Sequence, residues 1–492
     1  MLKGNSQFNV KIKSTRYRYS ITGTVGDQSD ILSITTSKDL GNPAGTFQIT
    51  FTAKEDSEKR TWFDKIYPFD YVEIRLKGIV DTQLKIVMRG LVDVVEYSED
   101  FSAGVPVRSV VVSGRDLGCL LTDFHVYCKP ALGGQEAAKK IIGGPLIWEA
   151  IKKGVLIGNV EDIFRFIIDL WKKQVRLEIE DGRYVVDFLK WDVFPFFKAN
   201  ITSSFYLSDY EGPWWNAISN YQDKPFHEIF LYDTEDNTWL ILRPSRLKDA
   251  QGNYPTVVNY LLDQKAHMYP DDFSITNEEK VSMRVEKKVS EVFTYYFVTP
   301  VFELLSKVAF ESAAISSNRE TPEASVNPYI ALKKHLPSYI GKYGYRPKEV
   351  PTVYMDLDVG QLGNSKGKEY EGYLKSTFVK RGEEMNKVLV AWFLHNPLLL
   401  SGTVTIAGSN RVLIGTYMKD TNEGKEYYVE GVNHNFVVLQ SYMTDLRLER
   451  GMPLEGLEGL DIGLGRASEE KFLFSSPSIV LTIKQLQTGV VK

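Results

Sequence analysis

One serine lies in a pattern that several hydrolases use to present a nucleophile. The pattern is Gly363-Asn-Ser-Lys-Gly, which fits the general form GxSxG. A nucleophile elbow needs a strand directly before it and a helix directly after it, so that the serine hydroxyl is exposed at a sharp turn. Here the flanking residues are polar and loop-like, and Lys366 and Lys368 lie close to Ser365. The sequence therefore predicts a solvated turn at Ser365, and not a catalytic serine.

The histidines and cysteines do not form a metal-binding pattern. No two of the six histidines have the spacing of ligands on one helix, and no CxxC is present. Glu430 and His434 lie four residues apart, but a metal site needs three or four convergent ligands. We expect a surface or interface pair there. Cys119 and Cys128 are the two cysteines, and composition favours free, buried thiols over a disulfide between them.

Two carboxylate pairs and one tryptophan pair could serve carbohydrate chemistry. The carboxylate pairs are 271–272 and 278–279, and the tryptophans are Trp214 and Trp215. Paired carboxylates can hydrolyse a sugar when they are held at a suitable separation, but these lie in polar loop sequence, which predicts solvated turns. Adjacent residues on a helix point in different directions. We therefore expect at least one tryptophan in the core, and not a carbohydrate platform.

Arg115 and Asp116 look like a catalytic pair, but they follow a predicted strand in the run Ser-Gly-Arg-Asp-Leu-Gly. Gly114 permits a turn there, and the charged side chains are expected to make an intramolecular or intersubunit bond. No GxxxxGK[ST] phosphate loop is present, and no GxGxxG follows a strand. The sequence thus predicts no catalytic, cofactor-binding or metal-binding residues, and we expect the chain not to be an enzyme.

The composition is that of a folded protein without a strong charge bias. The 492 residues carry a formal net charge of −4, which argues against a dedicated nucleic-acid-binding protein because such proteins carry a basic excess. The N-terminus lacks an apolar core of signal-peptide length. No apolar stretch is long enough to span a membrane. We expect synthesis in a cytoplasm without a signal peptide.

Hydrophobic periodicity predicts a mainly β protein with an α/β part. Residues 1–128 contain several runs with period-two alternation, which predict a first β-domain with the form of a barrel or a sandwich. Residues 129–285 are mixed α/β. Residues 286–450 are predicted to form a second β-domain with an inserted helical and loop segment at about 300–380, and residues 451–492 a C-terminal extension.

Individual elements are also predicted within this division. The helices are 135–142, 146–153, 160–174 and 214–221; a hairpin joins 227–232 to 238–242; and strands are expected at 183–188, 411–415 and 478–483, among others.

Five segments in order resemble the baseplate hub, or tail-tube initiator, proteins of Mu-like and PBSX-like contractile phages and related tail-like particles. The resemblance extends over about residues 68–453. The first segment is Val110-Val-Val-Ser-Gly-Arg-Asp-Leu-Gly, with Pro68-Phe-Asp-Tyr-Val-Glu-Ile and Met88-Arg-Gly-Leu-Val-Asp-Val upstream of it. The second is Trp214-Trp-Asn-Ala-Ile-Ser-Asn with Pro225-Phe-His-Glu-Ile-Phe and Arg243-Pro, the third is Val289-Ser-Glu-Val-Phe-Thr-Tyr-Tyr, and the fourth is Tyr343-Gly-Tyr-Arg-Pro. The fifth comprises Ser401-Gly-Thr-Val-Thr-Ile-Ala-Gly, Ile414-Gly-Thr-Tyr, Tyr427-Tyr-Val-Glu-Gly-Val-Asn-His-Asn-Phe and Thr444-Asp-Leu-Arg-Leu-Glu-Arg-Gly-Met-Pro. The insertion at about 300–340 and the tail after 453 depart from the family pattern.

The resemblance implies a homotrimer in which each copy contributes two tail-tube-like β-barrels. Six barrels would match the sixfold tail tube on one face, and a threefold face would seat the central spike. The implied partners are the chain itself, the spike protein and the tail tube or tube-initiator protein; the tape measure and baseplate wedge proteins are further candidates. DNA would pass only in transit, and no membrane is involved. The implied location is the baseplate of a virion or tail-like particle.

Six residues are expected to shape barrel corners or subunit contacts in such an assembly. They are Gly114, Arg115 and Asp116 at the end of the first barrel, and Gly431, His434 and Arg450 near the end of the second. Two alternatives remain open. One is a tail-associated cell-wall hydrolase, which would need a separate catalytic block. The other is the hub part of a secretion-system spike.

Overall fold

In a computed structural model, the chain divides into two compact units. The first comprises residues 1–287, 356–363 and 399–457, and the second comprises 288–355, 364–398 and 458–492. The structure describes residues 6–14, 17–101, 107–127, 157–180, 182–196, 200–202, 211–219, 222–288, 292–300, 334–335, 342–344, 346–352 and 380–457. Outside these ranges lie Ser365, Cys128, the predicted helices at 135–142 and 146–153, most of the predicted insertion, and the predicted strand at 478–483.

The first unit begins with seven strands, which we call the first β-module. They are β1 (Gln7–Lys13), β2 (Arg18–Thr24), β3 (Ile31–Asp39), β4 (Thr46–Thr52), β5 (Tyr71–Lys77), β6 (Lys85–Asp100) and β7 (Val107–Asp116), with helices α1 (Trp62–Lys65) and α2 (Cys119–Asp123). Strand β4 shows the physical origin of the module, because Phe47, Ile49 and Phe51 are buried while the residues between them face outwards. This alternation places one face of the sheet around a single apolar core.

A mixed α/β part follows. Its elements are β8 (His125–Tyr127), β9 (Ile157–Asn159), α3 (Val160–Gln174), β10 (Glu178–Glu180), β11 (Arg183–Tyr184), α4 (Val185–Phe188), β12 (Leu189–Val193), β13 (Asn200–Thr202), β14 (Glu211–Pro213), α5 (Trp214–Ser219), β15 (His227–Asp233), β16 (Thr238–Pro244) and α6 (Thr256–Gln264), then a 3₁₀ turn (Ala266–Met268), β17 (Phe273–Ile275) and β18 (Lys280–Glu286). Helix α3 buries Phe164, Ile167 and Trp171, and the Trp171 indole donates to the Leu120 carbonyl at 3.0 Å.

The described part of the second unit is small. It contains β19 (Tyr295–Pro300), β20 (Lys334–His335), β21 (Pro347–Thr352), α7 (Lys380–Phe393) and a 3₁₀ turn (Asn396–Leu398). Strand β19 lies between the other two strands, antiparallel to β20 and parallel to β21. Tyr296 and Val298 on β19 and Val350 on β21 are buried. Helix α7 buries Met385, Leu389 and Trp392, which are spaced to fall on one side of the helix.

The first unit ends with β22 (Leu400–Ala407), β23 (Tyr417–Asp420), β24 (Lys425–Val437) and β25 (Ser441–Pro453). Together with β17 and β18 they form the second β-module, which surrounds its own apolar core. The two modules belong to one 13-stranded sheet with the order β18-β22-β25-β24-β3-β4-β7-β6-β5-β1-β2, and β23 pairs with both β24 and β17. The predicted mainly β fold with a mixed α/β part is confirmed.

The two modules repeat one strand order. The path β3-β4-β7-β6-β5 corresponds to β18-β22-β25-β24-β23, and all neighbours on both paths are antiparallel. Bulges support this correspondence. Leu32 is the extra residue in β3 and Val281 the extra residue in β18, while Asp93 and Glu430 take the matching positions in β6 and β24. The modules differ at the last pair, since β1 is antiparallel to β5 but β17 is parallel to β23.

The modules are joined by a direct ladder between β24 and β3. Its register runs from Gly431 opposite Asp39 to Val437 opposite Ser33. Phe436 of β24 is fully buried in the core of the first module, where its ring meets that of Phe8 edge to face at 5.3 Å. The second module therefore supplies core side chains to the first.

Two predicted strands were wrong. In the predicted strand at 183–188, α4 begins at Val185, because the Asp187 carboxylate accepts the Tyr184 N–H at 2.9 Å and caps a helical turn. The predicted strand at 411–415 is a loop that ends at Gly415, whose φ of 72° is incompatible with a regular strand.

Replacing Phe436 with alanine is expected to lower the free energy of unfolding by about 3–5 kcal/mol, as truncation of a buried phenylalanine does. Leu439→Ala is the matched control, because Leu439 follows the same strand but is 69% exposed, and surface changes stay within about 0.5 kcal/mol. Denaturant unfolding of both variants gives the comparison. Equal losses in the two variants would contradict the burial of Phe436 across the ladder.

Candidate functional site

The candidate functional site is the junction at which the two β-modules meet. It consists of the β24–β3 ladder, the β15–β16 hairpin and a loop contact around Asp81. All three lie within the first unit. Together they determine how the two modules are held, so their chemistry decides what the chain can present to partners.

His434 lies at the centre of the ladder, opposite Thr36. Its Nδ1 is 3.0 Å from the Tyr442 hydroxyl and 3.2 Å from the Thr444 hydroxyl. Burial, assisted by the positive charge of Lys38, lowers the pKa of His434 to about 3. The imidazole is therefore neutral at physiological pH and acts as a buried hydrogen-bonding group.

Gly431 begins the ladder at the point where the chain leaves the bulge at Glu430. A Cβ at this glycine would lie 3.3 Å from the Arg447 Cβ and 3.4 Å from an Asp39 carboxylate oxygen. The Arg447 guanidinium pairs with Asp39 of the first module, and it also contacts Glu430 at 3.1 Å. An ion pair thus spans the ladder where little room is left for a side chain.

The tip of the β15–β16 hairpin carries charges into the first module. The Asp233 carboxylate accepts from Lys38 Nζ at 2.7 Å, from the Arg89 backbone N–H at 3.2 Å and from the Thr238 hydroxyl at 2.5 Å. Asp116 lies 3.5 Å from the same ammonium. Burial acts to lower the pKa of Lys38, but Asp233 and Asp116 outweigh it and raise that pKa, so the lysine stays charged.

Glu235 extends the same contact along β5 and β6. Its carboxylate accepts from Arg75 Nη1 at 2.6 Å, and its backbone carbonyl accepts from Arg89 Nη2 at 2.6 Å. The Arg89 side chain is almost fully buried. Removing one partner from such a buried ionic cluster would leave the remaining charges buried and unpaired, which strongly destabilises the fold.

Arg243 of β16 holds the base of the hairpin against the second module. The Arg243 guanidinium is fully buried and pairs with Glu228 at 3.0 Å. It also donates to the carbonyls of Met268 at 2.6 Å and Gly415 at 2.7 Å, and Glu228 accepts from the Tyr428 hydroxyl. The hairpin side chains Phe230, Tyr232 and Ile241 belong to the core of the second module. One hairpin therefore clamps both modules.

A third contact links a loop of each module through Asp81. The Asp81 carboxylate accepts from the Ser409 hydroxyl at 2.7 Å and from the Asn410 backbone N–H at 2.8 Å. The Asn410 amide donates to the carbonyls of Leu76 at 2.6 Å and Gln83 at 2.8 Å. The bonds to Asp81 and to the Leu76 carbonyl are buried, and the bond to the Gln83 carbonyl is partly buried. Buried polar networks with satisfied partners favour one arrangement over others.

Of the six residues that the sequence predicted for barrel corners or subunit contacts, three lie at the junction and three lie elsewhere. Asp116, Gly431 and His434 lie at the junction. Arg115 instead pairs within the first module, with Asp93 and Asp123 at 2.7 Å each. Their roles at barrel corners or subunit contacts stay predictions.

Two further predicted residues lie away from the junction. Gly114 passes close to the Phe47 ring and the Leu91 carbonyl, where no side chain would fit. Arg450 has a φ of 56° and donates to the Lys248 carbonyl at 3.1 Å.

Several junction residues were missed from sequence, namely Lys38, Asp81, Glu228, Asp233 and Arg243. The hairpin around Asp233 was predicted correctly, but nothing in its polar turn signals burial. The predicted solvated carboxylates need correction in part, because Asp272 pairs with Arg246 at 2.8 Å and Glu279 with Arg411 at 2.5 Å.

Two further sequence candidates, Trp214 and Cys119, follow the prediction, whereas His434 is buried and does not form the expected surface pair with Glu430. Trp214 is buried and its indole donates to Gln174 at 2.5 Å. Cys119 is buried and free, and burial raises the pKa of its thiol. Across the described ranges, no cluster of three or more histidine, cysteine or acidic side chains could hold a metal ion. No helix in that same part of the chain is long and apolar enough to cross a membrane.

A cavity of about 790 Å³ lies between α1, β5 and β10. Asp64 and Asp70 line it, and paired carboxylates can carry out acid–base chemistry. Asp64 caps α1 by accepting the Thr61 N–H at 2.8 Å, and Asp70 accepts the Tyr67 N–H at 2.9 Å. Burial raises the pKa of Asp70 to about 6. Each carboxylate is thus bonded to the turn that carries it, and its position has a local structural reason.

Comparison with known proteins gives structural neighbours only. No family model matches the chain, and no curated protein matches it. A tail protein from Neisseria meningitidis MC58 has 12% identity over 90% of this chain and 96% of its own, with a TM-score of 0.44. The 43 kDa tail protein of prophage MuSo2 from Shewanella oneidensis has 12% identity over 90% and 98%, with a TM-score of 0.43. An Escherichia coli component of the type VI secretion system has 7% identity over 90% and 76%, with a TM-score of 0.41.

Acidification is expected to weaken the junction through His434. The pKa of a histidine in the unfolded chain is about 6.5. When the folded pKa is lower, the folded state is fully stable with respect to this group above pH 6.5, and the free energy of unfolding decreases as the pH falls below 6.5. The loss amounts to about 1.4 kcal/mol per pH unit between pH 6.5 and the folded pKa. Melting temperatures of wild type and His434→Gln between pH 7.5 and 4.5 measure it. The variant should show the shallower decline, and parallel curves would contradict a neutral, buried imidazole.

Neutralising Asp233 should destabilise the hairpin contact. Asp233→Asn leaves Lys38 buried with only Asp116 as a close anionic partner, and we expect a loss of about 3–5 kcal/mol in the free energy of unfolding at pH 7. Asp236→Asn in the same turn is the control, because Asp236 is exposed and its replacement should be nearly neutral. Chemical denaturation compares them. A near-neutral Asp233→Asn would show that the buried cluster does not hold the hairpin.

Proposed function

We propose that the chain is a structural hub of a contractile tail baseplate and not an enzyme. Three copies form a ring that presents six β-modules to the sixfold tail tube and a threefold face to the central spike. The repeated strand order of the two modules carries this proposal, because two related modules in one chain turn threefold symmetry into six similar positions. The five resembling segments support the same assignment.

The rigidity of the junction is what an adaptor needs. A ring closes only if each contact repeats the same rotation, since a heterologous contact that does not close gives a filament. A hydrogen-bonded ladder, a clamping hairpin and the buried Asp81 contact oppose rotation of one module against the other. The chain can therefore present its two modules at a constant angle.

The proposed partners follow from these two faces. The tube or tube-initiator protein meets the six-module face, and the spike meets the threefold face. The tape measure and wedge proteins are further candidates, and DNA passes only in transit. The location is the baseplate of a virion or tail-like particle. We further propose a domain division close to the predicted one, with the second module beginning at β17.

The mass of the purified protein tests this function. Light scattering and native mass spectrometry of the chain, alone and with tube and spike proteins, should give three copies per particle, and electron microscopy should show a ring with a central hole. A chain that stays monomeric alone and with both partners would overturn the proposal. So would an oligomer whose modules do not share one circle.

A further inference from the structure

Two strand edges remain without a strand partner in the described part of the chain. One is the outer edge of residues 94–99 in β6, beyond the end of the β5 pairing. The other is the outer edge of β18, which ends the sheet. Both edges carry exposed apolar side chains, with Val94 52% exposed, Tyr97 41% exposed and Val281 55% exposed. Edges of this kind template pairing with another chain.

The internal repeat identifies what fits these edges. Strand β6 corresponds to β24, and β18 corresponds to β3. Within the chain, the part of β24 that matches the outer edge of β6 pairs with β3. The open edge of β6 therefore corresponds to the edge that β24 uses in the β24–β3 ladder, and the open edge of β18 corresponds to the edge that β3 uses there. One copy holds these two edges on different modules, so a second copy supplies the missing partner.

The register of the β24–β3 ladder also predicts the register between β6 and β18. The bulges align Tyr97 with His434 and Val285 with Thr36, which are opposite each other in the β24–β3 ladder. Tyr97 of one copy then lies opposite Val285 of the next. The same register places Glu99 opposite Met283 on this apolar face, and Ser98 opposite Arg284 on the other face.

The charges of the two edges are complementary. The 94–99 edge contains two acidic residues and no basic ones, whereas β18 contains two basic residues and one acidic residue. Glu99 and Lys280 also pair within their own modules, with Arg108 and Asp420, so Glu96 and Arg284 carry most of this difference. Glu96 would lie opposite Glu286, but Arg284 lies on the same face one pair further along. Opposite charges across strands favour pairing, and the net difference steers β6 towards β18.

We propose that copies of this chain join head to tail by pairing the 94–99 edge of β6 with β18 of the next copy, in the register that sets Tyr97 opposite Val285. The contact repeats the β24–β3 junction between copies. It deepens the proposed ring and rests on it, because only a closed circle uses every such edge.

A disulfide cross-link tests the register directly. The background carries Cys119→Ala and Cys128→Ala and must form a particle with the same number of copies as the wild type. In this background Tyr97→Cys is combined with Val285→Cys. Directly opposite residues bring their Cβ atoms within about 5.5 Å, so mild oxidation should link chains into covalent dimers and trimers. The matched control combines Tyr97→Cys with Arg284→Cys, which faces the other side of the sheet and should link at least about tenfold more slowly.

The outcomes separate this contact from the ring. A three-copy particle that does not cross-link at 97 and 285, or that links equally in the control, overturns the strand pairing and leaves the ring. Cross-linked chains that grow beyond three copies support the pairing and overturn the ring. A monomer that never links overturns both.

A charge change gives a second measurement that does not depend on cysteines. Arg284 and Lys54 are both exposed, so Arg284→Glu and Lys54→Glu impose the same change in net charge. Arg284→Glu should raise the dissociation constant for self-association by about tenfold, and Lys54→Glu should leave it nearly unchanged. Equal effects of the two variants would overturn the placement of Arg284 at the contact.

Discussion

A strand edge in a folded protein has backbone N–H and C=O groups that need partners, and the β24–β3 ladder satisfies this need by joining two modules that could otherwise move independently. Seven residues of β24, from Gly431 to Val437, find their partners in a strand that lies about 400 residues earlier in the chain. The ladder makes one sheet out of two modules. The burial of Phe436, the placement of His434 and the pairing of Arg447 with Asp39 all depend on it.

The buried charges around this ladder restrict the junction to one arrangement. Lys38, Asp233 and Asp116 form a cluster that is costly to desolvate and is stabilised only when all of its members are in place. Arg243 is held in the same way by Glu228 and by two backbone carbonyls. A shift of the hairpin would leave these groups buried and unpaired. Apolar packing alone tolerates small displacements, whereas such clusters do not.

Most strands, the long helix and the hairpin could be predicted from sequence, because period-two alternation and the 3.6-residue stripe reflect burial directly. The segment at 183–188 was mispredicted because a capping carboxylate at Asp187 decides the local structure. The junction was largely missed for a different reason. Lys38 and Asp233 are 195 residues apart, and their burial follows from strand pairing between distant segments. The internal repeat was also invisible in sequence, since it is recorded in bulge positions and not in residue identity.

The covalent link between the two modules has a consequence for how an assembly is supplied and how it evolves. Because both modules are made on one polypeptide, their stoichiometry is equal from translation onwards, and neither can be incorporated without the other. A substitution in one module would appear at every second position of the proposed circle. The two modules are therefore free to diverge in sequence, so that alternate positions specialise for different neighbours while the shared strand order preserves the geometry of the circle.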